Sequence, residues 1–191
     1  MHSGESKTPV YVAEFMDRQS LKAAKKIPRT DRFYEEARLP SSERASLADY
    51  RGSQMHRGHM FAAANAATPE AMAQSFSLAN IVPQAPRNNS GAWSKQVEST
   101  TRKYAQRSAE GIYVLTGPIY AGIVRTIGRG KVWVPSALFK LVYDPSTARA
   151  WAYVVDNSDD AKVGRPVSYD SLVERLGMHL LPPDAVKAPD R

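Results

Sequence analysis

Apolar and polar residues along the chain follow two different periods, which predicts strands separated by short helices. Alternation and an enrichment in β-branched and aromatic residues are typical of strands. Four runs have this character: residues 10–15, 111–120, 131–144 and 148–157. The dipeptide Gly117-Pro118 is expected to break the second run, and the turn sequence DPSTA joins the last two.

Helices are predicted where apolar residues recur at helical spacing and capping residues precede them. Thr68 is a suitable N-cap because Pro69 follows at the first helical position. Gly177 is suited to end the last helix, which begins at Ser168 or Asp170. Other helical segments are expected in three places: a short piece within 17–28, a short helix around 42–47, and an amphipathic helix over 92–109.

Length and composition indicate one mixed α+β domain covering residues 1–191. The chain contains no repeat and no linker, and 191 residues are enough to bury a sizeable core. Residues 1–9 and 182–191 are expected to be loose ends. Because the sequence contains no cysteine, disulfides, thiolate zinc sites and cysteine nucleophiles are excluded.

The net charge of +7 favours a polyanionic partner, since binding to nucleic acid releases counterions. Residues 17–33 hold six basic side chains, which form either a solvated face or a rim that contacts phosphate. No stretch approaches the roughly 18 apolar residues of a membrane span, and no membrane partner is expected. Residues 1–15 lack the plan of a secretion signal, so the protein is either cytoplasmic or has lost a leader.

The segment YRGSQMHRGHMFAAAN, residues 50–65, sets His56 and His59 around an Arg-Gly pair. Three interpretations are open: a metal site, a catalytic base beside a phosphate-binding arginine, and an ordinary basic loop. A closed zinc site is the weakest of them. The chain has four histidines and no cysteine, so distant carboxylates would have to complete the ligand set.

Residues 77–98 concentrate side-chain amides before a predicted helix: Asn80, Gln84, Asn88 and Asn89. Amide oxygens are hard ligands that suit Mg²⁺, which commonly keeps most of its waters. A histidine that takes a proton from water and a nearby magnesium ion would together cleave a phosphodiester. Arginine beside that histidine suits bidentate binding of phosphate. The alternative role for Asn89 is to cap the helix at residues 91–93.

Several short motifs follow one another in a fixed order: YRGS (50–53), RGH (57–59), NIVPQ (80–84), NSGAW (89–93), YVLTGPIY (113–120), VWVPSALFKLVYD (132–144) and SYDSLVERLG (168–177). Together they resemble one known family, the DNA/RNA non-specific endonucleases, which are ββα-metal nucleases. The resemblance spans about residues 30–180. It implies an α+β fold with a central antiparallel sheet flanked by helices and a ββα-metal catalytic motif.

The resemblance implies a role for six residues of this chain. His59, in the Arg-Gly-His motif, is the general base, and Asn89 is the direct protein ligand of the metal. Glu98 holds metal-bound water, and Arg102, one helical turn after Glu98, contacts phosphate. The three phosphate-binding arginines are Arg57, Arg102 and Arg32.

The acid stands one residue later than in the family pattern, where it falls four residues after the tryptophan. One extra residue turns an α-helical position by about 100°, which would aim Glu98 away from the site. The Glu98–Arg102 interval is kept, so we expect one inserted residue to be absorbed near Lys95, as a bulge or a late helix start. The alternative interpretation of Glu98 and Arg102 is a plain surface ion pair.

The function predicted from these features is Mg²⁺-dependent, sugar-non-specific cleavage of DNA and RNA that leaves 5′-phosphate ends. Mn²⁺ and Ca²⁺ are alternative ions. Activity is expected to fall between pH 8 and pH 5 as the histidine takes up a proton. A catalytically weakened nucleic-acid-binding protein on the same scaffold is the alternative, because His56 replaces the family's usual aspartate and the acid is shifted.

The location and the oligomeric state of the protein are predicted from the family resemblance alone. A periplasmic or secreted location is favoured because an unregulated nuclease endangers its own host, although a cytoplasmic location is also open. A homodimer is one alternative for the assembly.

Overall fold

The computed structural model of the chain describes residues 1–186. Its strands are β1 (His2–Ser3), β2 (Thr8–Pro9), β3 (Val12–Met16), β4 (His56–His59), β5 (Ile81–Gln84), β6 (Ile112–Ile119), β7 (Arg125–Ile127), β8 (Val132–Val134), β9 (Ala137–Asp144), β10 (Arg149–Asp156) and β11 (Val167–Ser168). Its α-helices are α1 (Arg18–Ala24), α2 (Leu47–Tyr50), α3 (Pro69–Ser75), α4 (Ser99–Ala105) and α5 (Tyr169–Leu176). A π-helix, Asn88–Glu98, runs directly into α4, and Ala63–Asn65 and Leu78–Asn80 form 3₁₀ turns.

The centre of the fold is a five-stranded antiparallel sheet in the order β11-β10-β9-β6-β3. Strand β9 is buried on both faces, because its side chains alternate between two packed layers. Leu138 and Val142 pack on the side of the π-helix and α4, whereas Phe139 and Leu141 pack on the side of α5. The predicted α+β class with a central antiparallel sheet and flanking helices is confirmed.

The candidate site is positioned by a separate antiparallel pair, β4 and β5, followed by the π-helix. His56 lies opposite Gln84 and His59 lies opposite Ile81 in this pair. Two strands and a helix in this order are the predicted ββα motif. The pattern of residues 50–65 did not predict strand β4, whose sequence His-Arg-Gly-His has no apolar alternation.

The capping residues act as predicted. Thr68 caps α3 with Pro69 in its first turn, and Ser168 caps α5, which ends at Gly177 with a positive φ of 65°. The short helix expected around residues 42–47 lies later, over α2. Ser46 and Asp49 form a reciprocal capping box there, which fixes the start of that helix at Leu47.

The predicted break at Gly117-Pro118 is wrong, because β6 runs through both residues and pairs them with Phe139 and Leu138. Glycine is required at residue 117 by close packing. A Cβ there would come within 2.5 Å of the Val10 carbonyl oxygen. The run 131–144 is divided instead at residues 135–136, between β8 and β9.

The prediction that residues 1–9 are loose is also wrong. Strands β1 and β2 pair with each other, and Thr8 is buried. Its hydroxyl lies 2.8 Å from that of Ser6 and 2.7 Å from that of Tyr120, which connects this segment to the residue that follows β6. Of the other predicted loose end, 182–191, residues 187–191 lie outside the described residues. No helix in the described part of the chain is long and apolar enough to cross a membrane.

Candidate active site

A cavity of about 390 Å³ between β4 and the π-helix collects five of the six predicted site residues. We call it the reaction cavity. Strand β4 supplies two of its lining side chains, and the π-helix and α4 supply four. The residues that line it are Arg29, Arg57, His59, Ala62, Ala63, Ala64, Asn89, Ser94, Glu98 and Arg102.

His59 is held against aromatic rings at the edge of this cavity. Its ring centroid lies 5.4 Å from that of Phe33 and 5.0 Å from that of Phe76. The Nε2 atom is enclosed and has no hydrogen-bond partner within the described residues. Gly58, the preceding residue, lets β4 pack closely, because a Cβ there would meet the side-chain oxygen of Gln84 at 2.1 Å.

Burial sets the charge state of His59. Removal from water is the largest cause, and together with the positive charge of Arg29 it lowers the pKa of His59 from 6.5 to about 4, while Asp31 opposes the shift. The imidazole is therefore neutral at neutral pH, which is the form that can accept a proton.

Asn89 lies within the first turn of the π-helix, which begins at Asn88, three residues before the predicted helical segment 91–93. The helix starts after Arg87 without a side-chain cap, so the alternative role of Asn89 as a capping residue is wrong. The Asn89 Nδ2 atom lies 3.4 Å from Nδ1 of His56. If the amide nitrogen faces His56, the amide oxygen is left free for another ligand.

The inserted residue before Glu98 is absorbed by the π-helix, as the predicted bulge near Lys95 required. Nine residues separate Asn89 from Glu98, and at about 100° per residue an α-helix would put them on opposite faces. The i→i+5 bonding of a π-helix widens the turn to roughly 4.4 residues, so nine residues complete about two turns. Both side chains consequently line the reaction cavity.

Glu98 and Arg102 are partly buried and line the reaction cavity, so their interpretation as a plain surface pair is wrong. Their side chains are 11% and 24% exposed, and a carboxylate oxygen lies 3.5 Å from a guanidinium nitrogen. The same Arg102 nitrogen donates to Asn65 Oδ1 at 3.3 Å. Asn65 in turn donates to both carboxylate oxygens of Glu14, at 3.2 and 3.0 Å. These successive contacts fix the position of the Arg102 guanidinium group.

A buried lysine that was not predicted from the sequence as a functional residue lies beneath this network. Lys140 is 1% exposed, donates to Thr116 Oγ1 at 2.6 Å and lies 5.5 Å from the centre of the Trp93 ring. Burial lowers its pKa and raises that of Glu14, while their mutual attraction opposes both shifts. A lysine inside the apolar run LFKLV was the available signal.

The arginines around His59 are pinned by aromatic faces. The Arg57 guanidinium lies 4.2 Å from the Phe33 ring centre, and that of Arg29 lies 5.1 Å from the Phe76 ring centre. Arg32 is exposed and does not line the reaction cavity, whereas Arg29 does. The structure therefore does not support Arg32 as a phosphate contact and brings Arg29, three residues earlier, to that place.

Only one of the four predicted amides faces the reaction cavity. The other three serve the fold: Asn80 bonds the backbone of Phe61, Gln84 donates to the Asn88 amide oxygen, and Asn88 donates to the Asp156 carbonyl. Of the four amides, Asn89 is therefore the one placed to bind a ligand in the reaction cavity.

The donor set suits a hydrated ion. The described residues contain no group of three or more histidines, cysteines or carboxylates placed to hold a metal. His56 and His59 do not converge either, because residues three apart in a strand point to opposite faces. Asn89 and Glu98 bring two hard oxygen donors to one cavity, which fits Mg²⁺ with most of its waters retained.

Two antiparallel strands that carry a histidine, followed by a helix that carries an asparagine and an acid, define the ββα-metal class of fold and site. The family model described as DNA/RNA non-specific endonuclease matches residues 1–180. The chain belongs to that family.

The chain is also similar in sequence and in structure to individual nucleases. Mitochondrial endonuclease G of Bos taurus is 37% identical over 126 residues, which are 58% of this chain and 40% of that protein. Nuclease C1 of Cunninghamella echinulata var. echinulata is 31% identical over 154 residues, 75% of this chain and 61% of that protein. A chain in the crystal structure of the EndoG/EndoGI complex matches with a TM-score of 0.82 and 25% identity, covering 97% of this chain and 82% of that one. The chain thus spans 40% to 61% of the length of these two curated relatives.

Proposed function

We propose that the protein is a metal-dependent, sugar-non-specific endonuclease that hydrolyses phosphodiester bonds of DNA and RNA. The observation that carries this proposal is the shared cavity of His59, Asn89 and Glu98. A neutral imidazole, two hard oxygen donors and three arginines within one cavity match the needs of phosphodiester hydrolysis.

In the proposed mechanism His59 is the general base. Because its Nε2 is enclosed, Nδ1 takes the proton from a water molecule aligned with the scissile bond. The water oxygen bonds to phosphorus, the bond from phosphorus to the 3′-oxygen breaks, and the product keeps a 5′-phosphate. Arg57, Arg102 and Arg29 bind the non-bridging oxygens and oppose the negative charge that develops on them.

Asn89 would hold Mg²⁺ through its amide oxygen, and Glu98 would hold one or more of the ion's waters. When bound, such an ion neutralises charge on the phosphate and on the departing oxygen. His56 steadies the Asn89 side chain by facing its amide nitrogen. Mn²⁺ and Ca²⁺ are alternative occupants of a site with these donors.

Sequence-independent cleavage of both sugars follows from the type of contact. The charged residues of the reaction cavity are suited to phosphate, and phosphate contacts carry no base information. Endonuclease G is mitochondrial by name, so the comparison does not support the predicted periplasmic or secreted location. That location and a homodimeric state both stay predictions.

The test is digestion of plasmid DNA and of RNA with Mg²⁺, with EDTA, and with the His59→Ala variant. We expect cleavage of both substrates with Mg²⁺ and none with EDTA or with the variant. Binding of nucleic acid without metal-dependent cleavage would instead establish the alternative, a weakened nuclease scaffold that binds nucleic acid.

A further inference from the structure

A second cavity, of about 570 Å³, shares a wall with the reaction cavity. We call it the Arg51 cavity. Arg29, Arg57 and Asn89 line both cavities, so a ligand bound at these residues can extend from one cavity into the other. The volume falls within the roughly 300–1,000 Å³ of small-ligand sites.

The charge of the Arg51 cavity selects an anion. Three arginines line it, and no carboxylate is among its described lining residues. The Arg51 side chain is exposed, and within the described residues it forms no ion pair. A metal cation would be repelled here, whereas a phosphate group would gain bidentate contacts.

The remaining wall is apolar and suits a flat ring. Leu47, Met55 and Phe33 contribute this surface. Phe33 also carries the Arg57 guanidinium at 4.2 Å, which joins the apolar wall to the charged one. A ligand with one aromatic heterocycle and one phosphate complements both parts.

We propose that the Arg51 cavity binds the nucleotide next to the scissile phosphate. Arg51 binds the phosphate of that nucleotide, and its base rests on Met55 and Leu47. The inference rests on the proposed function, because it places the rest of the substrate strand relative to the reaction cavity. It makes Arg51 a binding residue that contacts no atom of the bond being cleaved.

The first test is binding of a fluorescein-labelled single-stranded DNA oligonucleotide in EDTA, measured by fluorescence anisotropy. Arg51→Ala is compared with Arg175→Ala, which removes the same charge from α5 on the opposite face of the sheet. We expect Arg51→Ala to raise Kd about tenfold and to reduce the salt slope by about 0.7. Equal Kd values for the two variants, with equal thermal midpoints, would overturn the proposal.

The second test fills the cavity with Met55→Trp and compares two substrates in Mg²⁺. Bis(p-nitrophenyl) phosphate has no neighbouring nucleotide, so kcat/KM for the oligonucleotide should fall at least tenfold more than for this small diester. Equal losses for both substrates would contradict the proposal. Binding in EDTA does not depend on cleavage, so it separates this inference from the proposed function. If the protein does not cleave DNA but Arg51→Ala still binds DNA more weakly than Arg175→Ala, the inference holds and the proposed function fails.

Discussion

At the scale of single residues, the environment of His59 determines what its imidazole can do. Aromatic rings and two arginines surround it, so the protonated form is disfavoured twice, by lost hydration and by like charge. A bound phosphate would reverse the second effect, because its negative charge favours the imidazolium that forms during reaction. The residue is therefore neutral before substrate binds and better able to hold a proton afterwards.

The pH dependence of His59 follows from its lowered pKa. With a folded-state pKa of about 4, kcat/KM should fall as pH drops through about 4 and should not change through this group between pH 5 and 8. The structure therefore does not support the fall in activity between pH 8 and pH 5 that the sequence predicted, because that prediction used the pKa of an ordinary histidine. NMR titration of the His59 ring in the free protein measures the midpoint directly, and a midpoint at or above 6 would be inconsistent with the burial.

The same shift makes stability depend on pH. The unfolded state binds more protons between about pH 6.5 and pH 4, so the free energy of unfolding should decrease as pH falls across this window. Urea unfolding of the wild type and of His59→Phe, which removes the titrating group, tests the sign. An identical pH dependence in both proteins would rule out this contribution of His59.

Arg29 and Arg32 offer a matched pair of substitutions. Arg29→Ala should lower kcat/KM about 100-fold, because its guanidinium faces the reaction cavity, whereas Arg32→Ala should change it less than about twofold. Arg29→Ala should also raise the pKa of His59, since Arg29 lowers it. Comparable losses from both substitutions would contradict this assignment. The sequence did not indicate Arg29, because residues 25–46 between α1 and α2 are mostly irregular and no period relates them to the site.

At the scale of secondary structure, the π-helix accommodates the one-residue shift of Glu98 from the family pattern. It keeps Asn89 and Glu98 on one side despite the extra residue. Glu98 and Arg102 stay one helical turn apart, which made the compensation predictable from sequence. Its extent was not predictable, because i→i+5 bonding over Asn88–Glu98 depends on packing around Trp93 and Val97, both buried against the sheet.

Deletion of Lys95 tests whether the extra residue is the cause of the π-helix. Without Lys95 the segment can form i→i+4 hydrogen bonds, and the acid then falls four residues after Trp93. We therefore expect the urea midpoint of the variant to equal or exceed that of the wild type. Deletion of Lys103, in regular α4, is the control. That deletion rotates Ala105 out of the core and should destabilise the protein. Equal destabilisation by both deletions would contradict the interpretation.

The strands show where sequence patterns are sufficient. β6, β9 and β10 carry long apolar runs and were predicted, since their side chains are buried by the fold as a whole. β4 was missed because its role is chemical, and the residues that serve the site replaced the apolar alternation. The pair β4–β5 is identifiable from the family motif and from no local pattern.

At the scale of the whole molecule, one face of the central sheet packs against the helices that carry the site residues. Glu14 on β3, Thr116 on β6 and Lys140 on β9 point to the face that packs under the π-helix and α4. A polar row in this position connects the core to Arg102 through Asn65. The stability of the sheet and the geometry of the site are therefore coupled.

Substitution of Lys140 measures that coupling. Lys140→Met removes the hydrogen bond to Thr116 and the positive charge that opposes the raised pKa of Glu14, so it should cost roughly 1–3 kcal/mol of unfolding free energy. Glu14→Gln should restore part of this loss in the double variant, which a double-mutant cycle by urea unfolding detects. Strictly additive effects would show that the two side chains do not interact.

In the proposed mechanism His59 and Asn89 perform different tasks at one phosphate, and one experiment separates them. Mg²⁺ binding by isothermal titration calorimetry and DNA cleavage are measured for the wild type, His59→Ala and Asn89→Ala. We predict that His59→Ala binds Mg²⁺ like the wild type but cleaves at least about 1,000-fold more slowly, whereas Asn89→Ala loses at least about tenfold in Mg²⁺ affinity. Wild-type cleavage by either variant, or equal loss of Mg²⁺ binding in both, would contradict the separate roles proposed for His59 and Asn89.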